Sequence, residues 1–301
     1  MISSEFRKSE FKKFCFNIGF KKELVSEVSS NIDFYYNEWT EKKKDKVTGE
    51  YKKYKDGTVK KRVIRPSLKE LKKIQRAIKE RILAPIVMPS NIHGGVKKKS
   101  NITNAKPHQG KKFQFTTDLQ DFYPSIKYDK VYDTLLKLGF SNHYSHWVTK
   151  FTTWKFELPQ GTPTSTHISN IVFLETDFRL IEFCNRHGIT YTRYVDDLTF
   201  SSQQCFKIHL QTLLEIVTDS GFKLSYRKTK YEGFQNITGI DVFNNYIDAP
   251  RKILEKTKEG IALRRDVKAY QMYVENIRKT NKRKRKKKEL KDSTEISIKS
   301  M

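Results

Sequence analysis

Cysteine is scarce. Cys15, Cys184 and Cys205 are the three in 301 residues, and no two are spaced as Cys-x-x-Cys. That leaves neither a disulfide framework nor a cysteine zinc site, and it reads as free thiols in a reducing compartment. Acidic residues are also few, 34 against 60 Lys and Arg, for a net charge of +26. Residues 281–301 hold nine basic and three acidic side chains, so +20 of the excess lies in the rest of the chain. Such an excess excludes an ordinary acidic enzyme and calls for a polyanionic partner, nucleic acid first. No apolar run approaches the roughly 18 residues that cross a membrane. Met1–Phe14 lacks the apolar stretch of a secretory signal, so a cytoplasmic protein with no membrane partner is expected. No internal repeat is visible.

What is present is enough to fold. At 37% hydrophobic and 13% aromatic the chain is too apolar for a disordered basic tail. Residues 1–35 predict one or two short helices. Residues 41–62 alternate Lys with Tyr and Val around Lys55-Asp56-Gly57-Thr58, which reads as a basic β-hairpin or a mobile loop. Ser67-Leu68-Lys69-Glu70 reads as a capping box opening a helix with Leu71, Ile74, Ala77, Ile78 and Ile82 inward. Residues 91–112 read as a glycine- and lysine-rich loop and Phe113–Asp118 as a strand. Helices follow at Lys130–Leu138, at 143–153 and along a face marked by Ile168, Ile171, Val172, Glu175 and Phe178. Ile189–Tyr194 and Leu198–Ser201 predict strands joined by Val195-Asp196-Asp197. A helix over 205–219, strands at Phe222–Leu224 and Ile237–Phe243, and a basic helical segment over 251–279 complete the pattern. Lys282–Lys288, seven unbroken basic residues, reads as a disordered tail. The order predicts an α+β fold, a small antiparallel sheet with helices on one face.

Three constellations carry chemistry. Tyr194-Val195-Asp196-Asp197 sets two carboxylates in a tight turn, where they repel unless cations sit between them; a solvated hairpin tip has the same look. Asp118 ends a strand, and a strand-end carboxylate can meet hairpin carboxylates across a sheet. Asp118, Asp196 and Asp197 together suit two divalent ions that clamp the attacking and leaving oxygens of a phosphoryl displacement. Carboxylate donors favour Mg²⁺, with Mn²⁺ as a substitute. Asp121 reads instead as the N-cap of a following turn. The loop Leu158–Ser165, leading to Ser169-Asn170, is shaped by Gly and Pro for a nucleotide and a template base. His143 and His146 have metal-ligand spacing but no third ligand, and read as surface or packing residues.

In this order and spacing the residues resemble the reverse transcriptases over about 60–245. Asp118 with Asp121-Phe122-Tyr123 is similar to the first motif, and Gln160-Gly161-Thr162-Pro163 with Ser165, Ser169 and Asn170 to the second. Tyr194–Asp197 is similar to the third, Leu224–Thr229 to the fourth, and Ile237-Thr238-Gly239 sits where the fifth falls. The resemblance implies a right-hand polymerase. Residues 1–112 would be N-terminal helices and fingers, 113–245 a palm with a fingers insertion near 130–158, and 246–301 a small helical thumb and basic tail. It implies that Asp118, Asp196 and Asp197 hold the metals and that Lys228 lies near the pyrophosphate. Tyr123 would exclude a ribonucleotide 2′-OH by clash. Gln160 would line the incoming nucleotide, and Lys61 or Arg62 would grip its triphosphate.

Asn104-Ala105-Lys106-Pro107-His108 and Ile237-Thr238-Gly239 resemble two signatures of retron enzymes, the second with Ile for Val. That resemblance implies RNA-side roles for Asn104, His108, Thr238 and Gly239; for His108 the local reading is RNA contact or loop ordering. It also implies a bacterial enzyme that copies its own structured non-coding RNA with deoxynucleoside triphosphates. The enzyme would prime from a guanosine 2′-OH and leave a branched RNA–DNA hybrid, in a phage-defence system with a separate effector protein. The alternatives are another defence-associated reverse transcriptase with a different template and primer, and an RNA-binding scaffold.

Overall fold

The computed structural model describes residues 4–44, 49–54, 56–233 and 236–281. Lys55 of the predicted turn and the tail Lys282–Lys288 lie outside them. The helices are α1 (Ser4–Ile18), α2 (Lys22–Ser30), α3 (Lys69–Ile78), α4 (Asn101–Ala105), α5 (Phe122–Ser125), α6 (Tyr128–Lys137), α7 (Asn142–Thr152), α8 (Ser165–Arg186), α9 (Leu210–Asp219), α10 (Arg251–Ala262) and α11 (residues 268–281). The strands are β1 (Trp39–Lys42), β2 (Lys61–Ile64), β3 (Phe113–Asp118), β4 (Thr190–Tyr194), β5 (Asp197–Ser202), β6 (Lys230–Glu232), β7 (Asn236–Ile237), β8 (Ile240–Val242) and β9 (Ile247–Asp248). Two compact units interleave along the chain. One takes residues 1–90, 118–183 and 211–225; the other takes 91–117, 184–210 and 226–301.

The first unit is mostly helical. Phe14 of α1 is fully buried and meets three aromatics of α7: Tyr144 edge-on at 5.5 Å, Phe151 stacked at 5.9 Å and Trp147 at 6.4 Å. Leu71, Ile74 and Ile78 of α3 are buried at the i, i+3, i+7 spacing their sequence shows. Between them Gln75 is buried too, and its amide donates to the Tyr36 hydroxyl at 3.0 Å and the Phe151 carbonyl at 2.8 Å. The hairpin reading of 41–62 holds, with β1 and β2 antiparallel and Trp39 opposite Ile64. The capping box does not form. Lys69 takes a positive φ of 41°, Leu68 occupies the N-cap position without a side-chain bond, and the buried Ser67 hydroxyl has no partner. With the backbone turned that way Ser67 is one residue too early to reach the first helical amides.

The second unit carries a four-stranded sheet in the order β4-β5-β3-β6. β4 pairs antiparallel with β5 from Thr190↔Ser201 to Tyr194↔Asp197, and β3 pairs antiparallel with β6. Phe115 and Phe200 meet at 5.7 Å inside it. Ile237–Phe243 is not one strand: Thr238 and Gly239 both have positive φ and fold it into the β7–β8 hairpin, which β9 extends. Ile237, Ile240, Val242, Ile247, Val274 and Ile277 form a small core there with Ala105. Phe222–Leu224, in the first unit, makes a single bridge, Leu119↔Leu224, rather than a strand. Residues 91–112 are not a plain loop, since α4 and a 3-10 turn at Lys106–His108 lie within them.

Asn281, the last described residue of α11, ties three backbone and side-chain groups of the second unit. Its Oδ1 accepts from Lys106 Nζ at 2.9 Å and from the Ile247 amide at 3.1 Å, and its Nδ2 donates to the Ile247 carbonyl at 2.8 Å. Asn281→Ala should therefore cost about 1–2 kcal/mol, read as a lower urea midpoint with RNA affinity unchanged. An unshifted midpoint would mean the tie is not part of the folded unit.

Candidate active site

In the first unit, Asp118 is the residue at which the chain leaves the sheet strand β3, and its side chain is 7% exposed. The backbone around it is fixed. The Asp118 carbonyl accepts from the Ser225 amide at 2.7 Å, and the Gln120 amide donates to the Lys223 carbonyl at 2.8 Å. Asp121 then takes a left-handed φ of 48° and occupies the N-cap position of α5 without a side-chain cap bond. The capping role predicted for Asp121 is therefore corrected to a conformational one. Its turn presents Phe122 inward, against Phe173 at 5.8 Å and Phe222 at 5.8 Å. Lys130 covers the other side, its ammonium 3.6 Å from the Phe222 ring centre and bonded to the Ser220 carbonyl at 2.8 Å. With Phe122 anchored, Tyr123 is oriented by its hydroxyl, 3.1 Å from Thr166 Oγ1 on α8.

The loop carrying Gln160 is held by a residue the sequence reading passed over. The Arg65 amide donates to the Gln160 carbonyl at 2.7 Å. Its guanidinium bonds Glu38 at 2.5 Å, pairs with Glu157 and lies 5.6 Å from the Trp154 ring centre. The Arg65 hydrogen bond holds the Glu38 carboxyl below its ordinary range. Gly161 adopts a φ of +113°, and a Cβ there would come 3.3 Å from Ile64 Cγ2. Glycine is thus required both by conformation and by the close approach of β2. Of the two predicted triphosphate grips on β2, Lys61 is exposed and Arg62 is engaged with Glu41 at 2.6 Å. Arg65 carries a readable signal: it stands three residues after Arg62, just past the strand, beside Pro66.

In the second unit, Asp196 is the second residue of the two-residue turn Val195-Asp196 between β4 and β5, and Asp197 is the first residue of β5, opposite Tyr194; both are half-buried. Val195 before them has φ +60°, a left-handed conformation that a β-branched side chain resists. Arg193, fully buried on β4, donates from Nη1 to the Val195 carbonyl at 2.8 Å. Lys228 lies exposed in a 3-10 turn, Tyr226–Lys228, just before β6. Asn104 and His108 are both 0% exposed. The His108 ring has Ser201 Oγ 2.6 Å from Nδ1 and Thr192 Oγ1 2.8 Å from Nε2. Asn104 Nδ2 donates to Thr238 Oγ1 at 3.4 Å, and Asn101 Nδ2 donates to the Thr238 carbonyl at 3.1 Å. Neither Asn104 nor His108 presents a surface, so of the two readings direct RNA contact gives way to ordering of the loop. Thr238 is half-buried and Gly239 exposed at the tip of the β7–β8 hairpin.

Among the described residues no group of three or more His, Cys, Asp or Glu side chains is arranged to hold a metal ion. Asp118, Asp196 and Asp197 each make interactions within the protein instead. His146 bonds the Tyr128 hydroxyl at 2.8 Å and packs on Trp147, a packing histidine as predicted. All three cysteines are free thiols, and no described helix is long and apolar enough to cross a membrane.

Residues 42–238 match the family model for reverse transcriptase (RNA-dependent DNA polymerase). The curated relatives include the retron Ec86 reverse transcriptase of Escherichia coli, 32% identical over 65% of this chain and 62% of that protein. They also include the retron Mx65 reverse transcriptase of Myxococcus xanthus, 30% identical over 60% of this chain and 48% of that one. The chain thus spans between about half and three fifths of the length of these relatives. Among solved structures, the telomerase of Candida albicans with a fragment of telomeric RNA overlays with a TM-score of 0.46 at 11% identity, covering 80% of this chain and 55% of that chain. The matched segment contains the Asp118 strand end, the Gln160 loop and the Asp196-Asp197 turn, set in the α+β architecture of a right-hand polymerase. The chain belongs to the reverse transcriptase family, and the curated relatives named here are of the retron type.

Proposed function

We propose that the chain is an RNA-directed DNA polymerase that copies a cognate structured non-coding RNA in a retron system. The reading extends to priming from a guanosine 2′-OH, a branched RNA–DNA product, and service in phage defence with a separate effector protein. The observation that carries it is the half-buried Asp196-Asp197 turn within a segment matched to the reverse transcriptases and to retron relatives.

Asp118, Asp196 and Asp197 are the residues that would hold two divalent ions, and their all-oxygen, all-anionic donor set fits Mg²⁺, or Mn²⁺ in its place. Bound there, the ions would neutralise charge developing on the attacking and leaving oxygens. The remaining roles fall to the chain's own side chains. Tyr123, anchored through Phe122, sets the bulk that meets the sugar 2′ position. Gln160, held through Arg65, lines the nucleotide. Lys61 supplies charge toward the triphosphate, and Arg62 does so when it exchanges Glu41 for phosphate. Lys228 supplies a cation for the pyrophosphate. Thr238 and Gly239, at a hairpin tip, are the residues that face RNA. The division into fingers (1–112), palm (113–245) and thumb (246–301) belongs to the same proposal. A net charge of +26 and lysines over the exposed Tyr51 and Tyr54 rings suit a polyanion with stackable bases.

The test is to purify the protein from its native locus and treat the accompanying nucleic acid with ribonuclease, deoxyribonuclease and a debranching enzyme. A discrete DNA joined to RNA and shortened by debranching is expected. DNA without a branch would overturn the priming reading and keep the polymerase. RNA alone, with no DNA made when Mg²⁺ and deoxynucleotides are added, would overturn the polymerase reading.

A further inference from the structure

β4 ends the four-stranded sheet, yet its outer edge is not open. Residues 91–93 run along it in parallel. Ile92 bridges Arg193, the His93 amide donates to the Arg193 carbonyl at 2.8 Å, and the Arg193 amide donates to the Asn91 carbonyl at 2.9 Å. Asn91 Nδ2 donates to the Tyr191 carbonyl at 2.8 Å. The next residue, Gly94, lies against the carboxylate turn itself. A Cβ at Gly94 would stand 2.5 Å from Val195 Cγ2 and 2.9 Å from the Tyr194 carbonyl carbon, and closer still to the Val195 amide nitrogen. Gly94 does not have a left-handed φ, so only this contact with the turn keeps a side chain out.

The same segment returns beneath the hairpin. His108, fully buried, links Thr192 of β4 to Ser201 of β5 through its two ring nitrogens, at 2.8 and 2.6 Å. Between its two ends the segment is tied to itself. Lys99 Nζ donates to the Ile92 carbonyl at 2.8 Å, His93 Nδ1 lies 2.9 Å from Thr103 Oγ1, and Ser100 and Thr103 form a reciprocal cap of α4. The turn needs such support. A β-branched residue in the left-handed region costs on the order of 1–3 kcal/mol and persists only where its surroundings over-determine it.

We infer that residues 91–108 form a brace that sets the position of the Val195-Asp196-Asp197 turn, with Gly94 and His108 as its positioning residues. The inference rests on the reading of Asp196 and Asp197 as metal-holding groups. Gly94 presses on the backbone nitrogen through which the turn begins. His108 fixes the spacing of the two strands from which it rises. Both act on the carboxylates only through the hairpin, and neither touches substrate.

The test uses the full-length protein with its RNA and compares wild type with Gly94→Ala and Thr192→Val. The readouts are kcat and KM for a deoxynucleotide, RNA affinity, and Mn²⁺ binding followed by its paramagnetic signal without nucleotide. Misplacing a catalytic group by a fraction of an ångström is expected to lower kcat of Gly94→Ala about tenfold to a hundredfold. The Mn²⁺ concentration for half-saturation should rise, while KM and RNA affinity stay within about twofold. Thr192→Val changes one hydroxyl to a methyl and should show the same signature at about threefold in kcat, which keeps the test open if Gly94→Ala does not fold. Adding Val195→Gly to Gly94→Ala removes Cγ2 and the left-handed strain, and should restore part of the lost kcat and Mn²⁺ affinity. An active wild type with both variants within about twofold of it in kcat and Mn²⁺ affinity would overturn the brace alone. An inactive wild type would overturn the polymerase reading on which its role depends.

Discussion

Asp196→Asn combined with Asp197→Asn is expected to abolish DNA synthesis, by at least about a thousandfold or some 4 kcal/mol in the barrier, with RNA binding intact. Asparagine keeps the size of the side chain and removes the charge. Asp196 lies in the two-residue turn and Asp197 in the Tyr194↔Asp197 pair that closes it, so the backbone has no reason to move. The turn also loses a like-charge repulsion, which offsets the interactions the two carboxylates make within the protein, so the change in thermal stability should be small. Two fewer negative charges near a polyanion leave RNA affinity equal or slightly higher at a fixed salt concentration. The check is deoxynucleotide incorporation beside RNA affinity, both measured at one ionic strength. Incorporation above about a tenth of wild type would remove these carboxylates from the chemistry.

Short-range features of this fold were legible in the sequence. β4 and β5 fall within one residue of their predicted bounds, because alternation and a two-residue turn are local signals. After β3, α6 and α7 start within two residues of expectation, and Gly139 and Gly188 mark the ends of α6 and α8; α9 starts at Leu210, five residues later than expected, because a 3-10 turn over Lys207–His209 precedes it. The misreadings share a cause: direction set by tertiary contact. Lys97–Lys99, Lys106, Lys111 and Lys112 made residues 91–112 look like a solvated cationic loop. Its five-residue helix and single 3-10 turn are too short to show a period, so nothing local reveals that Asn104 and His108 point inward. Arg193 has the same history, a charged residue in an alternating strand that lies at 0% exposure. Ser67 had the composition of a cap, but the cap depended on the backbone at Lys69. Arg65 was passed over for Lys61 and Arg62 because charge is visible in sequence, and the acceptor carbonyl of Gln160, 95 positions later, is not.

Lowering the pH from 7 toward 4.5 should destabilise the second unit through His93 and His108, and His108→Gln should remove a defined part of that loss. Burial, with the Lys99 charge, pushes His93 down to about 4. Burial, with the His93 and Lys111 charges, pushes His108 down to about 3. The groups facing His108 are the Thr192 and Ser201 hydroxyls, and Thr103 faces His93; none is an anion that would favour the imidazolium. In the unfolded chain both rings titrate near 6.5. Between that value and the folded ones the unfolded state binds more protons, so stability rises with pH there and is lost as pH falls. The loss begins below about 6.5 and runs to about 4 for His93 and about 3 for His108. Each ring contributes up to about 1.4 kcal/mol per pH unit, on the order of 4 kcal/mol for the pair at pH 5. That is a large share of the roughly 5–15 kcal/mol that holds a domain folded. Carboxylates held low, such as Glu38, matter only below about 4.5, so the window from 6.5 to 4.5 belongs to histidine. His146 and His167 of the first unit are lowered by burial as well, so the total slope is not diagnostic. The difference is. Urea midpoints at pH 7, 6 and 5 should fall less steeply for His108→Gln than for wild type, by about one proton's worth per unit. Gln keeps hydrogen-bonding atoms for the two hydroxyls and cannot take the proton. Parallel slopes for the two proteins would mean that His108 is not held neutral by the fold.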